Sequence, residues 1–212
     1  MNYEKLVIIL PVCVFPTGEE PYSRLHQLVE NIRHIQKYFP VSKIVVVDNG
    51  KIAPELSDVI GVELLYFPHL STNQPSLGEA TMLLHALNTI ESNSMVLKLH
   101  ARCRLTNIEQ LKSYIESHGE FLLLCRNLFN SMAQGTDKLP YIDTRVLYLR
   151  HELLIRVLSD AIDRLTQYSV FNLEQAMIPC VYSDSFNNIV VTKGKFFPKL
   201  SGQAGHGRDY NS

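Results

Sequence analysis

The segment Lys98-Leu-His-Ala-Arg-Cys-Arg104 carries a potentially cationic side chain at every second position. Side chains alternate between faces in an extended chain, so Lys98, His100, Arg102 and Arg104 are expected on one side of a strand. Such clustering inside an apolar strand is costly unless an anion compensates it, which points to a diphosphate or a sugar carboxylate as ligand. The alternative is a strand that frays into a loop whose arginines pair with surface acids. A lone strand histidine such as His100 is more often a hydrogen-bonded structural residue than a phosphate or metal ligand. Asp48 ends the run Lys43-Ile-Val-Val-Val-Asp48 and is followed by Asn49 and Gly50. A carboxylate fixed there suits a ribose hydroxyl or a base N–H, or else starts an Asx turn. Further polar groups are Asn73, Gln74, Gly78 and Glu79. His206 and Arg208 lie among glycines near the end of the chain, where the backbone can approach a ligand closely, as a lid would, or simply remain a loose terminus.

The elements that must carry these groups follow from hydrophobic spacing. Leu6 to Val14 is a continuous apolar run interrupted only by Pro11, as expected of a strand covered on both faces. Leu25, Leu28, Val29, Ile32 and Ile35 then repeat at helical spacing up to Phe39-Pro40. The strand ending in Asp48 completes a βαβ unit. Val62 to Phe67, the helix Gly78 to Ile90 and the strand Met95 to His100 continue the alternation. A helix from Asn107, with Gln110 at the capping-box position, runs to His118, and the strand Phe121 to Cys125 follows. Thr144 to Leu149 is a strand, His151 to Leu165 a helix, and Asn172 to Met177 a shorter one. The expected fold is a Rossmann-like α/β domain with an open, mostly parallel sheet and flanking helices. One domain spans 1–200, with halves 1–105 and 106–200, and 201–212 is a flexible Gly-rich tail. In such sheets ligands bind outside the carboxyl ends of the strands, which is where Pro16 to Glu20, Asp48-Asn49, Gly78-Glu79 and the Lys98 segment all fall.

Composition limits the function. A chain of 212 residues with 46% hydrophobic and 19% charged residues has enough apolar surface for one core, which excludes a disordered or fibrous protein. Twenty basic residues against twenty-one acidic leave no broad cationic field for nucleic acid. No apolar run is long enough for a transmembrane segment, and no secretory leader precedes the first strand, so a cytoplasmic location is expected. Cys13, Cys103, Cys125 and Cys180 show no C-x-x-C pairing and read as buried thiols.

The order of Val47-Asp48-Asn49-Gly50, the Gly78-Glu79 helix entry and the Lys98 to Arg104 segment resembles GT-A-fold nucleotide-sugar glycosyltransferases of bacterial surface-polysaccharide assembly. The resemblance covers most of the chain through short motifs. It implies a nucleotide-sugar donor, a glycan or lipid-linked acceptor, and a nucleotide held in the first half by the first strand, including Pro11, and by Asp48. A metal-binding Asp-x-Asp is usual in that group. Here Lys98-Leu-His100 and Arg102 occupy its place, so no cofactor is expected, and positive side chains would neutralise the leaving diphosphate instead of a divalent ion. The second half would hold the acceptor and a general base for its hydroxyl. Glu174 is the first choice by its late position and Asp143 the second, although Glu174 also suits the first turn of a short helix. Two alternatives stand beside the transferase: a catalytically silent sugar- or protein-binding module on the same scaffold, and a sugar nucleotidyltransferase. The latter requires a Gly-rich basic signature after the first strand, which Pro16-Thr-Gly-Glu-Glu20 does not supply.

Overall fold

Strand β1 (Leu6–Val12) is apolar throughout because each of its faces meets a different core. Ile8, Leu10 and Val12 join one buried cluster, while Val7 and Ile9 join the other. Strand β2 (Lys43–Asp48) divides in the same way, with Ile44 and Val46 on the first side and Val45 and Val47 on the second. This is a computed structural model, and it describes residues 5–14, 22–70, 73–118, 120–126, 140–168, 172–181, 190–192, 198–203 and 209–211.

Helices α1 (Tyr22–Tyr38) and α3 (Ile108–His118) cover the first face with Leu28, Ile32, Ile35, Leu111 and Ile115. Helices α2 (Pro75–Leu87) and α4 (His151–Gln167) cover the second with Leu83, Leu87, Leu154, Val157 and Leu158. Apolar residues three and four apart place one stripe of each helix on the sheet. Proline at the first position of α2 starts that helix without wasting a hydrogen bond. The short helices α5 (Leu173–Ala176) and α6 (Ile178–Val181) complete the second layer. No described helix is long and apolar enough to cross a membrane.

With β3 (Val62–Tyr66), β4 (Met95–Leu99), β6 (Phe121–Arg126), β7 (Pro140–Arg150) and β8 (Val190–Thr192), the main sheet has the order β3-β2-β1-β4-β7-β6-β8. The first four strands are parallel neighbours, β7 is antiparallel to β4 and β6, and β8 is parallel to β6. The mostly parallel α/β fold expected from the sequence is therefore present. From β1 the chain builds outward to β2 and β3, then returns to place β4 on the opposite side of β1. That reversal opens a crevice at the carboxyl ends of β1 and β4.

A second, antiparallel sheet joins β5 (Arg104–Leu105), β9 (Leu200–Gln203) and β10 (Asp209–Asn211). The end of the chain, read from its glycines as a flexible tail, is thus paired at 201–203 and 209–211; residues 204–208, with His206 and Arg208, lie outside the described residues. Asn107 stands at the start of α3 as the sequence suggests. Its Oδ1 accepts the Lys199 N–H at 2.9 Å and its Nδ2 donates to Gln110 at 3.1 Å, which ties the start of α3 to the strand β9.

Candidate functional site

A cleft of about 590 Å³ lies over the carboxyl ends of β1, β2 and β4. It is lined by Pro11, Val12 and Cys13 from the end of β1, by Arg24 of α1 with Arg102 near it, and by Gly78, Glu79 and Met82 of α2, which covers the opposite face of the sheet from α1, with Asn49 and His100 also lining it. Of the residues expected at a ligand site, Pro11, Asn49, Gly78, Glu79, His100 and Arg102 come together here.

Asp48 and Lys98 sit beneath the cleft rather than in its wall. The Asp48 carboxylate is fully buried; Oδ2 accepts the Val14 N–H at 2.8 Å and Oδ1 the Gly50 N–H at 2.7 Å. Burial raises its pKa, against the lowering effect of those two hydrogen bonds. The Asx-turn alternative describes Asp48 well, and it also pins the segment after β1 to the end of β2.

The four alternating cations do not share a face. Strand β4 stops at Leu99, and residues 100–103 bend before β5 begins. The Lys98 side chain is only 3% exposed; its Nζ pairs with Glu79 Oε1 at 2.7 Å and donates to the Thr144 carbonyl. Arg104 is exposed on β5, away from the cleft. His100 is not a cation at neutral pH. Burial first and the Lys98 charge second depress its pKa to about 4, and its Nδ1 accepts the backbone N–H groups of Arg102 at 3.3 Å and Cys103 at 3.1 Å. The remaining proton is therefore assigned to Nε2 by this pattern. The bend forms because its imidazole and α1 satisfy its backbone. Asn31 Nδ2 donates to the carbonyls of His100 and Ala101, both at 2.9 Å, and the His34 ring contacts the Leu105 carbonyl at 3.0 Å.

Three contributors were not read from the sequence: Arg24, Asn31 and His34. A signal for two of them existed, since Asn31 and His34 interrupt the apolar stripe of α1 beside Ile32 and Ile35, and a polar group on a buried face demands a partner. Arg24 gives no such signal. Its Nη1 donates to the Cys13 carbonyl at 3.0 Å, holding the guanidinium at the edge of the cleft. Burial first, and the neighbouring Arg24 charge second, lower the Arg102 pKa. Among the described residues no carboxylate pairs with either guanidinium. Both guanidiniums line the cleft without a described carboxylate partner, an arrangement chemically able to accept an anion.

The two expected general bases are both away from the cleft wall. Asp143 is buried and spends both oxygens on Arg145, at 2.8 Å to Nε and 2.6 Å to Nη2. Glu174 is half-buried on α5 and accepts the Thr144 hydroxyl at 3.0 Å. Burial raises its pKa, with the Glu79 charge adding to the rise and Lys98 opposing it. Glu79, in the cleft wall, thus joins Lys98, Thr144 and Glu174 in one polar cluster that extends beneath the cleft.

Lys98 is committed to Glu79, and the Nδ1 of His100 is committed to the backbone. Among the described residues no group of three or more His, Cys, Asp or Glu side chains is placed to hold a metal ion.

No protein-family model and no curated protein sequence matches the chain. Solved structures do. An active-site mutant of LgtC superposes with a TM-score of 0.56 over 90% of this chain and 74% of that one, at 14% identity. The 2-C-methyl-D-erythritol 4-phosphate cytidylyltransferase of Francisella tularensis gives 0.54 over 83% and 86%, at 13% identity. The chain has a GT-A-like, Rossmann-related fold. The glycosyltransferase GlyE of Streptococcus pneumoniae TIGR4 gives 0.53 at 14% identity over 91% of the chain, which spans less than half, 46%, of GlyE. These superpositions show the GT-A-like architecture, and identities of 13–14% leave the chemistry to the cleft.

Proposed function

We propose that this GT-A-like domain is a glycosyltransferase that moves a sugar from a nucleotide-sugar donor to a glycan or lipid-linked acceptor without a divalent metal. The observation that carries this reading is the segregation of charge across one cleft at the switch point of the sheet. The guanidiniums of Arg24 and Arg102, paired with no described acid, stand on one side and a carboxylate, Glu79, on the other. A ligand with an anionic end and a hydroxyl-rich end matches that polarity. In this reading Arg24 and Arg102 take the diphosphate, a role that the two cations can fill where a metal would otherwise neutralise the leaving group. Pro11, Asn49 and Gly78 form the walls around the nucleoside, and Asp48 shapes the rim from below. Structural kinship with glycosyltransferases supports the same class.

A melting-temperature screen against UDP-, GDP-, CMP- and dTDP-sugars, with and without manganese or magnesium, tests the proposal. Binding to the native state alone raises stability by mass action, about 2.7 kcal/mol at a hundred times Kd. The expected result is a shift with one donor that is the same with and without metal; a shift only in the presence of metal refutes metal independence. The cytidylyltransferase neighbour makes CTP a necessary arm. Stabilisation by CTP, with pyrophosphate released on adding a sugar phosphate, would establish the nucleotidyltransferase instead. Donor binding without any transfer or hydrolysis would leave a binding module.

A further inference from the structure

We propose that Glu79, rather than Glu174 or Asp143, is the catalytic base of this cleft; the inference rests on the glycosyltransferase reading above. A base must reach the substrate, and among the described residues the cleft wall contains two groups of that kind, Glu79 and His100. His100 is excluded by its bonding. Its Nδ1 lone pair is occupied by two backbone N–H groups, so Nε2 carries the proton and the ring can donate but not accept. Cys13 also lines the cleft, but burial first and Asp48 second hold its thiol above the usual range.

Glu79 has the required geometry. It enters the cleft from the first turns of α2 with its side chain 35% exposed. Oε1 is fixed by Lys98 at 2.7 Å, and Oε2 has no hydrogen-bond partner among the described residues. Lys98 is itself held by the Thr144 carbonyl and cannot swing away. The carboxylate is therefore aimed by a rigid cation, with one oxygen left for chemistry. Behind it, the Glu174 carboxylate is engaged by Thr144.

The step balances within the ligands already named. A proton leaves the acceptor hydroxyl for Glu79 Oε2 as the acceptor oxygen bonds to the anomeric carbon. The bond from that carbon to the phosphate oxygen breaks, and its electron pair departs with the nucleotide. The charge that develops there falls beside Arg24 and Arg102, and the proton passes to solvent when products leave.

The test uses the full chain and the nucleotide sugar that stabilises it, with water as the acceptor, reading nucleotide release and binding separately. Glu79→Gln is expected to bind the donor within about threefold of the original while hydrolysis falls about 10²- to 10⁴-fold, the usual contribution of a general base. Glu174→Gln is expected to lose less than about tenfold. Hydrolysis by Glu79→Gln within about threefold of the original overturns the proposal. If that variant fails to fold, the double variant Glu79→Leu with Lys98→Met replaces the ion pair by apolar groups of similar size; turnover by that protein overturns the proposal equally. An original chain that binds none of the nucleotide sugars refutes the glycosyltransferase reading itself, whereas an active original with an equally active Glu79→Gln refutes only the assignment of the base.

Discussion

Lys98 and Arg102 are four residues apart and have opposite circumstances. Lys98 is buried and fully compensated, by Glu79, by the Thr144 carbonyl and by the nearby Glu174. Arg102 stands at the cleft beside a second guanidinium, with no acid paired to it among the described residues. A buried cation with its partners is part of the fold, because removing it strands charge in a low-dielectric interior. A cation held without a partner has a deficit that an anionic ligand can satisfy. The difference separates structural charge from binding charge within a single turn of chain.

The largest effect expected from breaking this contrast is on Lys98. Lys98→Met leaves Glu79 and Glu174 without their cation, and urea unfolding should show a loss of about 3–5 kcal/mol, toward the lower end because Glu79 is partly exposed. An undiminished midpoint would mean that the pair is dispensable.

His100, between the two walls, provides the next. Its folded-state pKa is depressed from 6.5 to about 4, so the unfolded chain takes up a proton first as pH falls. Stability from this residue is fully present above about pH 6.5 and is lost between there and about pH 4, by about 3 kcal/mol. Asp48 and Glu174, with raised pKa values, act in the opposite sense. The quantity to measure is therefore the difference between the original chain and His100→Asn, whose amide oxygen can replace Nδ1. The loss of stability between about pH 6.5 and pH 4 should be smaller in the variant by about 3 kcal/mol.

Arg102→Ala and Arg24→Ala should each weaken donor binding by about tenfold to a hundredfold, the size of a charge-assisted hydrogen bond, measured by titration calorimetry. Thermal stability should hold or rise slightly for Arg102→Ala, which relieves repulsion between the two guanidiniums, whereas for Arg24→Ala that relief is offset by loss of the bond to the Cys13 carbonyl, about 1 kcal/mol. A loss of stability as large as that of Lys98→Met would erase the distinction between the two kinds of charge. The smallest effect belongs to Lys43→Met. Its bridge to Glu63 is 2.6 Å long, close to the Lys98–Glu79 distance of 2.7 Å, but the side chains are 48% and 42% exposed. Solvent screening limits the expected cost to less than about 1 kcal/mol, so the two lysine–glutamate pairs compare burial at nearly constant geometry.

Much of the scaffold was legible from spacing alone. The run Leu6 to Val14, the stripe of α1 and the β-branched run into Asp48 each carry a period or a continuity that one secondary structure satisfies. Strands β5, β8, β9 and β10 were not, because two to four residues hold no period and their pairing is with segments distant in the chain. The cleft was legible as a rim: Pro11, Asn49, Gly78, Glu79, His100 and Arg102 were all found at strand ends or in the following loops. Its charges were misread, because alternation was extended past Leu99 into a bend that Asn31 and the His100 ring hold through hydrogen bonds.

The sequence by itself determined the alternation of strands and helices and the end of the sheet at which polar groups gather, since both follow from local periodicity and the rules of parallel-sheet connection. Only the tertiary structure decided which of those polar groups are spent. Whether Lys98 faces Glu79, whether Asp48 is consumed by Val14 and Gly50, and whether Arg24 stands beside Arg102 depend on contacts between residues distant in sequence. A side chain's charge is written in its residue type, but its partner is set by the fold.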